Sequence, residues 1–238
     1  MTLLDLIRQP HAFYERLRAL PARPARYLWL VLLSGLVGGL GTALLSRSLL
    51  SAQLLATETQ LSGLTGGRPL EVPPALLTVM GTLSSIILSA LTWLVLWGMG
   101  QLGAGKEGRA AEVYGSTFLA PLVWGAVMLV LALISPPDIA VSAPNLSGLS
   151  GEALTTAANA YVHEVQAAYT DNSLVRFSTT INYAVYIVQF ALAYIGFRAM
   201  TAQGGSRAVR GVGYPLLLLA LLSFMAVLLA AGAGGMGL

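Results

Sequence analysis

Five stretches of the chain are continuously apolar and free of charge, and the segments between them alternate in length. They run from Tyr27 to about Leu45, Pro74 to Leu102, Val113 to about Ile134, Phe177 to Phe197 and Val212 to about Ala231. A helix rising about 1.5 Å per residue needs about 20 such residues to cross a hydrocarbon core about 30 Å thick. Barrel strands would instead alternate in polarity over about ten residues, so the runs predict helices whose backbone polar groups are satisfied internally. The fold class expected is all-α: an integral membrane bundle of five transmembrane helices, residues 27–238, preceded by an amphipathic interfacial helix within residues 1–26.

That N-terminal segment places Leu3, Leu6, Ile7, Phe13, Tyr14, Leu17 and Leu20 among charges at helical spacings, interrupted at Gln9-Pro10. Pro10 suits the first position of a helix, so a short turn should end before it and a second helix begin. Lying flat, the segment would bury aromatic and leucine side chains in the leaflet and turn its arginines to anionic headgroups. Docking of a cytosolic partner there is the alternative. The two longer connections, residues 46–73 and 135–176, are rich in Ser, Thr, Gly and Pro and read as extracytoplasmic loops. Inside the second, Glu152 to Ala168 has helical patterning, with Leu154, Tyr161, Val165 and Ala168 recurring.

Composition supports the membrane reading, because 56% of the 238 residues are hydrophobic and only 10% charged. Soluble domains carry about 25% charged residues. Residues 1–26 hold seven charges and no unbroken apolar run, which is not the pattern of a cleaved signal peptide. Basic residues set the orientation. The N-terminal segment (Arg8, Arg16, Arg18, Arg23, Arg26), the turn after span two (Lys106, Arg109) and the turn after span four (Arg198, Arg207, Arg210) hold ten of the thirteen, against Arg47, Arg68 and Arg176 on the other side. The N-terminus is therefore expected in the cytoplasm and the C-terminus outside. Twelve of the thirteen are arginine, the composition of a GC-rich prokaryotic gene, which points to a prokaryotic cell membrane. The charge is too small and scattered for a nucleic-acid partner.

No cysteine is present, which excludes disulfides, thiolate metal sites and cysteine nucleophiles. Gly100 to Lys106 reads GQLGAGK, and Gly103 to Gly108 fits GxGxxG. A phosphate loop needs a preceding strand and Ser or Thr after the lysine, whereas Glu107 follows a membrane helix here, so a flexible turn is the reading. His163-Glu164 starts a zinc-protease pattern, but Ala167 stands where its second histidine belongs. Asp5, Asp138 and Asp171 lie outside the spans, so intramembrane aspartyl proteolysis is excluded as well. No cofactor, metal or catalytic set is expected.

Two polar faces remain within the spans. Thr78, Thr82, Ser85, Ser89 and Thr92 follow one another at steps of four, three, four and three, forming a stripe that reads as a packing seam or as the wall of a polar path. Asn182, Tyr186 and Gln189 share a face of span four, expected to point into the bundle because an unpaired amide is costly in hydrocarbon. Gly35 and Gly39 form a GxxxG in span one, suited to close packing. Pro121 should kink span three after Ala120.

The opening LLDLIRQPHAFYERLRALP and the EVYGSTFLAPLVWGAVMLVL of span three resemble the Yip (Ypt-interacting protein) domain family, in a prokaryotic form. Pro10, Phe13 and Tyr14 match its proline and aromatic pair before five spans; Tyr114, Gly115 and Pro121 match the start of its third span. The resemblance implies a five-span membrane protein, and for eukaryotic relatives the binding of prenylated Rab-type GTPases. Their Asp-Leu-Tyr-Gly-Pro motif is missing here. The function expected is a non-enzymatic membrane scaffold or adaptor; the alternative is a small transporter, channel or lipid-handling protein using the polar faces of spans two and four. The partners expected are the bilayer with its anionic lipids, and a second copy or another membrane protein.

Overall fold

The structure is a computed structural model that describes residues 3–65, 73–137, 139, 141, 142, 144, 149, 151–201 and 205–234. Arg68, Asp138 and the last two residues of the terminal glycine cluster, Gly235 and Gly237, lie outside the described residues. All regular structure described is helical. The N-terminal segment forms α1 (Leu3–Arg8) and α2 (Pro10–Ala19), with Pro10 at the first position of α2 as its geometry favours. A turn of 3₁₀ helix (Pro24–Tyr27) leads into α3 (Leu28–Leu45). Then follow α4 (Arg47–Thr65), α5 (Pro74–Ala104), α6 (Ala110–Thr117), α7 (Leu119–Ile134), α8 (Gly151–Asp171), α9 (Ser173–Met200) and α10 (Gly205–Gly234).

Five segments are long and apolar enough to cross a membrane: Pro24–Leu45, Ala75–Ala104, Lys106–Ile134, Ser173–Met200 and Gly205–Met225. The chain is an integral membrane protein. Its surface inverts the soluble pattern, for along α5 Val79, Met80, Leu83, Ile87, Leu91 and Leu94 are exposed whereas Thr78, Ser85, Ser89 and Thr92 are half-buried and Thr82 is buried. Hydrocarbon on the outside removes the penalty that water would impose on those leucines.

Two expectations need correction. Residues 46–73 read as a loop, yet 47–65 form α4. Serine and threonine there do not break the helix, because their hydroxyls bond back to it: Ser51 Oγ to the Arg47 carbonyl at 2.9 Å and Thr57 Oγ1 to that of Gln53 at 2.8 Å. Ala52 and Ala56, one turn apart, give α4 a small buried face, and it packs along α8, which buries Ala158 and Val165. The helix expected over Glu152 to Ala168 is present as α8. The second correction concerns Pro121. The break in span three falls at Phe118, between α6 and α7, since proline lacks the N–H that would bond the Thr117 carbonyl four residues back.

The chain divides into two compact units. One comprises residues 33–88 and 121–185, where glycines bring helix backbones together. A Cβ on Gly39 would lie 2.7 Å from that of Ser85 and 3.1 Å from the Thr82 Cα, and one on Gly125 would lie 3.1 Å from the Gly38 Cα. Thr82 and Ser85 of the α5 hydroxyl stripe thus pack on α3 at Gly39. Leu45, Met128 and Ala132 are buried there beside Trp124, whose ring meets Phe177 edge-on at 6.0 Å.

The other unit comprises residues 1–32, 89–120 and 186–238, and holds ten of the thirteen basic residues. Its core is aromatic: Phe13, Tyr14, Tyr114 and Phe197 are all buried. The candidate site lies in this unit.

Candidate functional site

The N-terminal helices are part of the protein core. Leu6, Phe13, Tyr14 and Leu17, expected to enter lipid, are buried in the protein instead, and Leu4, Ile7 and Leu20 are the apolar side chains left exposed. The reason is a polar contact that sequence spacing alone does not disclose: the Tyr14 hydroxyl and Ser116 Oγ, 102 positions apart, form a buried hydrogen bond of 3.0 Å. Gly196 makes room for the ring, since a Cβ there would lie 2.8 Å from Tyr14 Cζ. Phe13 meets Tyr14 edge-on at 5.2 Å and reaches Tyr27 at 6.3 Å.

Tyr114 and Gly115 join the same cluster. Tyr114 donates its hydroxyl to the Gly211 carbonyl at 2.9 Å, and its ring packs on Phe197 at 5.4 Å. Gly100 gives the ring its space, as a Cβ there would fall 2.6 Å from Tyr114 Cε2. Gly115 fits against the Tyr27 Cβ. Phe13, Tyr14, Tyr114 and Gly115 therefore converge on one aromatic core, while Pro10 starts α2 and Pro121 belongs to the other unit.

Beside this core sits a charged cluster around Glu112, a residue that sequence reading passed over because it precedes the apolar run by one position. Only 1% of it is exposed. Its carboxylate accepts from Arg109 Nε and from the Arg23 backbone N–H at 3.2 Å, and lies 3.2 Å from Arg26 Nη1. Glu112 is at the third position of α6, where the helix dipole favours an anion. Arg109 spends its other donors on the end of α2: Nη1 reaches the carbonyls of Leu17 at 2.8 Å and Leu20 at 2.9 Å, and Nη2 that of Pro21 at 3.2 Å. One guanidinium thus satisfies carbonyls that a terminating helix leaves open. Arg109 is held in the left-handed region (φ 48°) at the start of α6. An acidic residue flanked by glycine-rich turn and span was the available signal.

Of the polar positions expected on span four, Gln189 is buried but Asn182 and Tyr186 are exposed. The three share one helix face, at steps of four and three, but that face is covered only at Gln189. The expected glycine turn at 100–108 is also narrower: Gly100 and Gly103 lie within α5 as packing positions, and the turn is made at Gly105 (φ 74°). No group of three potential metal ligands occurs among the described residues. Compared with known protein families, curated proteins and solved structures, the chain matches none.

Burial pushes the Tyr14 phenol above its ordinary value of 10.0, with the Ser116 hydrogen bond opposing the shift in part. The folded state therefore holds this proton more tightly than the unfolded chain. Its contribution is fully present below about pH 10 and is lost as pH rises through the higher folded value. Tyr14→Phe is expected to lower stability by about 1 kcal/mol at neutral pH. Above pH 10 the thermal midpoint of the wild type in detergent should fall more steeply than that of Tyr14→Phe.

Proposed function

We propose that the chain is a Yip-like membrane protein that crosses a prokaryotic cell membrane five times, N-terminus in the cytoplasm, and acts as a non-enzymatic scaffold or adaptor. The observation that carries this is the anchoring of α1 and α2 into the core of their unit through Tyr14, Leu17 and Arg109. Anchored in that way, the two helices present a fixed outer face made of Leu4, Ile7, Arg8, His11, Glu15 and Arg16. Concentration of ten basic residues in the same unit agrees with a cytoplasmic position. The resemblance at Pro10, Phe13, Tyr14, Tyr114, Gly115 and Pro121 draws support from the packing of four of the six into one aromatic core.

The transport reading has less support, because Asn182 and Tyr186 are exposed and α3 packs closely on Thr82 and Ser85 of the α5 stripe at Gly39. Reconstituted liposomes are expected to show neither solute flux nor lipid movement. Deleting residues 1–20 would strip four core side chains, so the docking test is made by substitution. A photo-crosslinking amino acid at Ile7 is expected to yield a reproducible protein adduct in cell membranes, and one at the exposed Leu217 of α10 only lipid adducts. Identical lipid-only products from both positions would remove the scaffold reading.

A further inference from the structure

We infer that a recess beside the Glu112 cluster binds the phosphate of an anionic lipid headgroup. The recess has a volume of about 250 Å³. It is lined by the apolar Ala22, Pro24 and Ala111, by Trp97, and by the polar Gln101, Lys106, Arg109 and Glu112. All of these residues belong to one compact unit.

Three observations point to a ligand rich in acceptors. First, the Lys106 ammonium, the Gln101 amide and the Trp97 indole N–H, all lining the recess, have no hydrogen bond or ion pair among the described residues. Arg109 differs, being committed to Glu112 and to the end of α2. Second, the surrounding charge is positive: Lys106, Arg109 and Arg26 oppose the single carboxylate of Glu112, whose oxygens are already engaged by Arg109, Arg26 and the Arg23 N–H. Unspent donors under a positive field match phosphate oxygens, which only accept. Third, the location is that of headgroups. One membrane-crossing segment ends at Ala104 and the next begins at Lys106, so the recess opens where two spans meet the interface. Trp97, about two helical turns before Ala104, is an amphipathic ring of the kind enriched at interfaces, and it tilts by 32° against Trp93 at 5.3 Å.

The same chemistry would accept a free phosphate ester, and the experiment separates the two. The full chain, purified in a phosphate-free detergent, is titrated with phosphatidylglycerol and followed by native mass spectrometry, with diacylglycerol of identical acyl chains and with glycerol phosphate as competing probes. One phosphatidylglycerol should be retained in preference to diacylglycerol. Lys106→Glu is expected to weaken retention by about tenfold and Gln101→Leu by about threefold, while Lys106→Arg should stay within about twofold of wild type. Arg198→Glu, a like charge reversal at an exposed residue that does not line the recess, should also stay within about twofold. Lys106 is exposed, so its substitution leaves the fold intact, which unchanged thermal midpoints will verify. Equal retention of diacylglycerol, or equal loss in Lys106→Glu and Arg198→Glu, would overturn the site. Displacement of the lipid by glycerol phosphate at matched concentration would overturn its assignment to a lipid headgroup.

Discussion

Replacing Glu112 with leucine is expected to destabilise the protein by about 3–5 kcal/mol, because it removes the only anion from a cluster that holds two arginines. Arg109 and Arg26 have side chains 11% and 20% exposed, so water cannot take over fully from the carboxylate. The Arg23 N–H would lose its acceptor as well. Damage should spread to α2, since Arg109 holds the Leu17 and Leu20 carbonyls only while Glu112 fixes its guanidinium. A lower thermal midpoint in detergent and new tryptic cleavage after Arg26 are the expected signs. Glu112→Gln keeps the shape and an acceptor for the Arg23 N–H, so its loss should be smaller. If the leucine variant melts with wild type and gains no cleavage, the cluster does not hold the N-terminal helices.

The second large effect concerns Gly103. A Cβ there would lie 2.2 Å from the Arg210 carbonyl oxygen and 2.4 Å from its carbon, which are main-chain atoms of α10 and cannot swing aside. Gly103→Ala must therefore separate α5 from α10, and is expected to cost about 3 kcal/mol, the upper end for overpacking. Gly98 lies in the same helix, one turn and a little more away, and a Cβ there meets nothing within 4 Å. Gly98→Ala should be neutral or stabilising by about 0.4–1 kcal/mol, through the reduced freedom of the unfolded chain. Thermal midpoints of the two variants should move in opposite directions. A similar fall in both would mean that helix propensity and close contact are not what separates them.

The spans were legible because crossing a membrane demands a length and a composition that nothing else in the chain imitates. Pro10 was legible too, as its ring fixes one backbone angle wherever it stands. The α4 helix was not, since a serine bonding to its own helix is written with the same letter as a serine in a loop. Asn182 was misplaced by assuming that every amide in an apolar run is covered, whereas the face it shares with Gln189, Ala193 and Phe197 is buried at those three and exposed at Asn182. The Glu112 cluster depends on contacts 89 positions apart, between residues 23 and 112, and no local pattern encodes such a distance. The aromatic core lay between these cases. Tyr14 and Tyr114 were singled out by resemblance, but that Ser116 and Gly211 receive their hydroxyls emerges only from the folded chain.

Those sequence distances also fix an order of events during synthesis. Ser116 is made 102 residues after Tyr14, an interval of about 5–20 s at an elongation rate of about 5–20 residues per second. Until then α1 and α2 have neither the Ser116 hydroxyl nor the Arg109 guanidinium to receive them. Tyr114 must in turn wait 97 residues for the Gly211 carbonyl, near the start of the last helix. Helices α1 and α2 are thus made long before they are locked, and a ribosome stalled before the fifth span would hold a nascent chain whose aromatic core is still open on one side.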